Sequence, residues 1–305
     1  MNIKRLTVLV VFLLIIGIVF VCRRQQMTVK PTINSAKIKI VASFYPLGEF
    51  TKQVGGENVE VTTVVPTGVE PHDFEPTAQD LGNINTAEGF IYNGNNFDPW
   101  AEKIANDLRQ KGVLVLNTSE KLNKADQSVD PHYWLDPVLA QDEVLAIQEM
   151  LISLDQAHKS DYQKNTIIYI QKLLNLDQQY QDGLKNCQLK AFVTSHQAFS
   201  YLAQRYNLTM INIGGVSPDQ EPSAKQLADI TKAVKQQNIK IIFSETLVSP
   251  RLAQTIAQET GAQTEVLSPI EGLSSEEVRD GKDYISIMQG NLTKLQNALR
   301  CQSIQ

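Results

Sequence analysis

Histidine is scarce in this chain: four in 305 residues, His72, His132, His158 and His196. A metal site built on imidazole must therefore draw on a short set. Tryptophan is scarcer still, with Trp100 and Trp134 alone, which speaks against the broad aromatic cleft that an iron chelate would need. Cations are not in excess either. There are 28 Lys and Arg against 33 Asp and Glu, a net charge of -5. A nucleic-acid binder normally carries a basic face, so that class is set aside. No H-E-x-x-H, G-x-S-x-G or P-loop signature occurs, which removes the common zinc-protease, serine-hydrolase and nucleotide-binding readings. Proline is missing over a long central stretch, between Val138 and Cys187. Nothing there interrupts a helix.

What is present begins with a targeting signal. Lys4 and Arg5 precede the apolar run Leu6 to Val21, short for a membrane-spanning helix and long for a signal-peptide core. Cys22 follows at once. Val21 stands where a lipoprotein signal carries a small residue, and no A-x-A cleavage site appears. A retained N-terminal anchor and a lipid on Cys22 both remain open for residues 1–24, and 25–37 read as a polar tether. Either way the body of the protein is expected outside the cytoplasm, attached to the membrane or periplasmic. Such a compartment permits a disulfide between Cys187 and Cys301; the alternative is two unrelated thiols.

The patterning then alternates. β-rich runs at Ile38–Ser43, Val59–Val65, Glu88–Gly94 and Val113–Asn117 are separated by helical segments. One of these, "DPWAEKIANDLRQKG", has Pro at its start and Gly at its end. Apolar residues at helical spacing fill 137 to about 186, with a pause near His158 to Asp161. A second alternating series follows in "KAFVTSH", "LTMINIGG", "IKIIFSE" and "AQTEVLS", and "DYISIMQGNLTKLQNALR" closes as a helix. The expected class is α/β: two lobes, each a parallel sheet with flanking helices, joined by one long rigid helix. The boundaries are 38–158, 159–186 for the linking helix, and 187–305.

Three histidines fall in comparable places. His72 lies after the second strand, His132 after the fourth, and His196 after the first strand of the second lobe. Loops at the carboxyl ends of parallel strands gather along one edge, where ligands bind. His158 lies within the helical region and is set aside as a surface residue. Prolines 71, 76, 131 and 137 stiffen the first two loops. Asp73, Glu75, Asp130 and Asp136 are placed to accept the second imidazole N–H, or to cap helices and turns.

The stretches "VEPHDFEPTAQDL", "DPHYWLDP", "TSHQAFSYLAQRYNL", "GVSPDQEPSAKQLADI" and "FSETLVSPRLAQTIAQETGA" resemble the metal-binding proteins of bacterial zinc and manganese ABC importers, from about Ile38 to Leu299. The resemblance implies a metal held between the lobes, with His72, His132 and His196 on three ligand positions. It implies Zn²⁺ rather than Mn²⁺, because manganese-type members carry glutamate where His196 stands. Imidazole-rich sites favour zinc on chemical grounds as well. For the fourth ligand the resemblance points to an acid before the tyrosine that opens the last helix. That is Asp283, one place later than usual, with Glu245 or a water as alternatives. The implied partners are an ABC-type permease with its ATPase and, through the N-terminus, the membrane. A monomer that is not an enzyme is expected; a manganese-binding importer component, a surface adhesin and a zinc hydrolase are the competing readings. The His-rich loop that many zinc-type members carry before the second ligand is absent.

Overall fold

The structure is a computed structural model that describes residues 36–122 and 130–302. The expected signal or anchor and nearly all of the tether lie outside the described residues. Among the described residues, no helix is long and apolar enough to cross a membrane.

The first lobe runs β1 (Ile38–Ala42), α1 (Tyr45–Gly55), β2 (Val59–Thr63), α2 (Ala78–Asn85), β3 (Gly89–Tyr92), α3 (Pro99–Gln110) and β4 (Leu114–Asn117). Its sheet is parallel, in the order β2-β1-β3-β4. Helices α4 (Leu139–Leu154) and α5 (Lys159–Leu184) follow. The second lobe runs β5 (Ala191–Thr194), α6 (Ser200–Arg205), β6 (Thr209–Asn212), α7 (Ala224–Gln236), β7 (Ile241–Ser244), α8 (Arg251–Thr260) and β8 (Gln263–Val266), then α9 (Ser275–Arg279) and α10 (Tyr284–Leu299). Its order, β6-β5-β7-β8, repeats the first. The expected class of two parallel α/β lobes with a long helix between them is the architecture observed.

Interior strands are largely apolar because helices cover both faces; Lys39, near the start of β1, is the exposed exception there. β3 (GFIY) and β5 (AFVT) are buried at every position, whereas the edge strand β8 (QTEV) is largely exposed. Helices α2 and α9 are too short for a hydrophobic period to announce them. Each opens with a capping box instead, Thr77 with Asp80 and Ser274 with Glu277.

Helix α5 extends about 39 Å at 1.5 Å per residue. It buries one stripe, Tyr162, Thr166, Tyr169, Leu173, Leu176, Tyr180 and Leu184, at the three- and four-residue spacings of a single face. Asn165 Nδ2 donates to Val54 O of α1 at 3.0 Å, and Tyr180 OH donates to Met288 O of α10 at 2.7 Å. The helix is thus tied to both lobes. One continuous apolar cluster includes Phe44 and Phe50 of the first lobe, Tyr169 and Tyr180 of α5, and Phe199, Tyr284 and Leu295 of the second.

Cys187 and Cys301 are bonded to each other. Leu189 N donates to Leu299 O and Gln302 N to Asn186 O on either side of the bridge. With a sequence separation of 114, the cross-link encloses nearly the whole second lobe. The denatured-chain entropy removed by so long a loop is about 4.7 kcal/mol, and measured gains are usually about 2–4 kcal/mol. Reduction, or a paired Cys187→Ala and Cys301→Ala change, is expected to lower unfolding free energy by about 2–4 kcal/mol in a denaturant titration.

Candidate metal centre

In each lobe the strand order reverses beside the first strand, leaving a crevice at the carboxyl ends of β1 and β3 and of β5 and β7. His196 sits two residues beyond β5, and Glu245 directly follows β7. The crevice therefore brings them together. Glu245 Oε1 accepts from His196 N at 3.0 Å, and its Oε2 lies 2.6 Å from His196 Nδ1. Glu245 is not in the cluster of candidate ligands described below. It fixes the ring of His196 so that Nε2 points forward.

His132 is arranged the same way. Asp130 Oδ1 accepts from His132 N at 3.0 Å and lies 2.7 Å from its Nδ1. Of the four carboxylates expected to orient imidazoles, Asp130 does so. Asp136 instead receives Arg205 and the N–H of Val138. His72 comes from the loop after β2, where Glu70 accepts its backbone N–H at 3.0 Å. Its ring stands edge-on to Phe97, with centroids 4.7 Å apart. His158 pairs with Asp155 at 2.5 Å, outside this cluster.

The three remaining histidines converge, and a carboxylate joins them. His132 Nε2 lies 3.3 Å from both His72 Nε2 and His196 Nε2. Glu271 Oε1 lies 3.4 Å from His72 Nε2 and 3.2 Å from the other two. His132, His196 and Glu271 are buried, and the His72 side chain is 6% exposed. Among the described residues, Glu271 Oε1 makes no hydrogen bond beyond these rings. Trp134 and Phe97 pack behind His132 at 5.3 and 6.1 Å between centroids.

Asp283 is not part of this cluster. Its Oδ1 accepts from Ser286 N at 2.8 Å, and Ser286 Oγ accepts from its backbone N–H. It is the N-cap of α10, and that bond holds its carboxylate at the helix end. The acid that joins the histidines, Glu271, lies in the loop after β8, where the strand-end logic that selects the histidines would also have found it. His132 occupies the matching loop after β4. The residue before Glu271, Ile270, has φ 55°, a left-handed conformation that is strained for a β-branched side chain. The backbone bends there to deliver the carboxylate inward.

The electrostatics follow from burial and contact. Burial alone would lower the pKa of His196, but the Glu245 and Glu271 carboxylates outweigh it and push it up to about 10. His132 is also raised: burial opposes the charge, and the bonds to Asp130 and Glu271 overcome it. His72 is lowered by burial, with Glu271 only partly compensating. Burial would raise Glu271, yet the charge of His196 and the three ring contacts hold it well below the usual carboxylate range. The set therefore behaves as a coupled cluster that retains protons mainly on His196 and His132. In metal-free protein, Glu245→Gln is expected to lower the His196 pKa by roughly 1–3 units, read from imidazole resonances in an NMR titration.

Residues 40–298 match the family described as zinc-uptake complex component A, periplasmic. The high-affinity zinc uptake system protein ZnuA of Bacillus subtilis is 40% identical over 284 residues, which cover 88% of this chain and 89% of that protein. The zinc-binding lipoprotein AdcA of Streptococcus pneumoniae is 38% identical over 276 residues, and the match spans 55% of its length. Among solved structures, the Zn(II)-bound ZnuA-like domain of that AdcA superposes with a TM-score of 0.76 at 40% identity, covering 86% of this chain and 99% of that one. The laminin binding protein Lmb of Streptococcus agalactiae, described as bifunctional with adhesin and metal transporting activity, gives 0.79 at 37% identity with the same coverage. With the family match running through both lobes and the metal cluster, the chain belongs to the zinc-uptake complex component A family of solute-binding proteins.

Proposed function

We propose that this chain captures one Zn²⁺ between its lobes, outside the cytoplasm, and delivers it to an ABC-type importer. The observation that carries this reading is the spacing of four atoms, His72 Nε2, His132 Nε2, His196 Nε2 and Glu271 Oε1. Five of their separations are 3.2–3.4 Å. A regular tetrahedron of that edge has its centre about 2.0 Å from each corner, the bond length of tetrahedral zinc. Three nitrogens and one oxygen suit Zn²⁺ better than Mn²⁺, which favours oxygen and more ligands. Glu271 also lowers the site's cost of holding a dication in an apolar shell, because its charge is buried beside the ion.

Capture rather than hydrolysis follows from the same count. A catalytic zinc keeps one corner for water, whereas these four side chains fill all four corners. Glu245 and Asp130, two further carboxylates beside the rings, are committed to ring nitrogens. Delivery to a permease and attachment to the membrane rest on kinship with the zinc uptake protein and lipoprotein.

One zinc per chain is expected by mass spectrometry and competition titration, with Mn²⁺ unable to displace it. Glu271→Ala should weaken binding by more than the roughly 10–100-fold typical of an outer partner. Asp283→Ala should leave affinity unchanged while costing about 1 kcal/mol of stability as a lost cap. Equal effects of the two on zinc would overturn the ligand assignment.

Coordination requires neutral His196, whose pKa in the free site is about 10. Zinc uptake at pH 8 should then release at least about one proton per ion, from His196 with any that His132 still holds, measured by calorimetry in buffers of different ionisation enthalpy, and affinity should keep rising toward pH 10. The sign for the metal-free fold is opposite. The stability that protonated His196 contributes is complete below about pH 6.5 and is lost as pH rises through about 10.

A further inference from the structure

The segment 130–136, which carries His132, belongs to the first lobe by chain order, yet side chains of both lobes hold it. From the first lobe, Asn93 Nδ2 donates to Pro131 O at 2.9 Å and Asn95 Nδ2 to Asp130 O at 3.1 Å. From the second lobe there are two fastenings on α6, the helix that begins four residues after His196. Tyr201 OH donates to Asp130 O at 3.1 Å. Arg205 grips Asp136 with a fork, Nε at 3.0 and 2.9 Å from Oδ1 and Oδ2 and Nη2 at 2.7 Å from Oδ2. In the middle, Trp134 Nε1 donates to Pro269 O at 2.7 Å, two residues before Glu271.

We infer that Arg205 and Tyr201 are positioning residues for the metal site: by holding the two ends of the His132 segment to the helix that follows His196, they keep the two imidazoles at coordination spacing across the lobe boundary. The inference rests on the zinc-capture reading. Neither residue touches the four candidate ligand atoms, so each acts through the backbone of the segment. The chemistry suits the task. Asp136 is buried, and a bidentate guanidinium–carboxylate pair fixes direction as well as distance. Tyr201 fixes the backbone carbonyl of the residue whose carboxylate orients His132, so a shift of that residue would turn the ring. Holding ligands in place before binding reduces the ordering that the ion must impose. The loss of such a hold shows chiefly in the dissociation rate.

The test uses the full chain as wild type, Arg205→Ala, Arg205→Lys and Tyr201→Phe, each loaded with zinc alone and, separately, with Co²⁺. Zinc dissociation is followed by transfer to a chelating dye. Removal of either fastening should speed dissociation by about tenfold, the lower range for partners that orient ligands. Arg205→Lys restores charge without the fork, so it should recover the melting temperature but only part of the rate. The visible spectrum of bound Co²⁺, which reports tetrahedral geometry, should broaden in Arg205→Ala. Tyr201→Phe decides the matter if Arg205→Ala fails to fold, because it removes only a hydroxyl. Rates within about twofold of wild type in the folded variants, set against the tenfold expected of orienting partners, would overturn the positioning role even if the melting temperature fell. Failure of the wild-type chain to hold zinc would overturn the capture reading itself, and the positioning role with it.

Discussion

Glu271 is buried with one oxygen facing three ring nitrogens, and much of the architecture serves that contact. A carboxylate so placed is costly unless positive charge answers it. Protons on His196 and His132 supply that charge in one state, and a dication supplies it in the other. The two orienting carboxylates, Asp130 and Glu245, extend the same balance outward. The repeated strand order of the lobes explains how four residues far apart in sequence arrive together. Both sheets turn their carboxyl ends toward one seam, and every member of the cluster comes from a loop at such an end.

The histidines were legible in the sequence because they are rare and because strand-end loops are recognisable from patterning. The two lobes and the long helix were legible for a similar reason, since unbroken apolar strands and a proline-free helical stretch are local properties. The fourth member of the cluster was only half legible. The strand-end rule reaches Glu271 in the loop after β8, but Asp283 is also an acid near the last helix, and only backbone geometry separates a cap from an inward-facing carboxylate. Ile270 gave no hint of its positive φ, because a β-branched residue argues against a left-handed bend. The roles of Asp136 and Glu245 depended on partners 69 and 49 residues away, and spacing along a chain carries no such information. The bond between Cys187 and Cys301 is of the same kind: compartment chemistry allows it, but proximity arises only when α10 returns to the end of α5.

The apolar cluster that runs unbroken from α1 through α5 to α10 has a consequence for selectivity. A hinged clamshell judges its cargo twice, on first touch and again on closing. A body with one core through both halves has no second examination, so discrimination falls to the shape of the pocket itself. Nitrogen-rich sites rank Cu²⁺ above Zn²⁺ by intrinsic affinity, but Cu²⁺ favours a flattened, tetragonal arrangement. A donor set laid out near a tetrahedron works against that preference, while zinc, with no geometric demand from its d electrons, loses nothing. The layout of the donors thus becomes a filter against the stronger competitor.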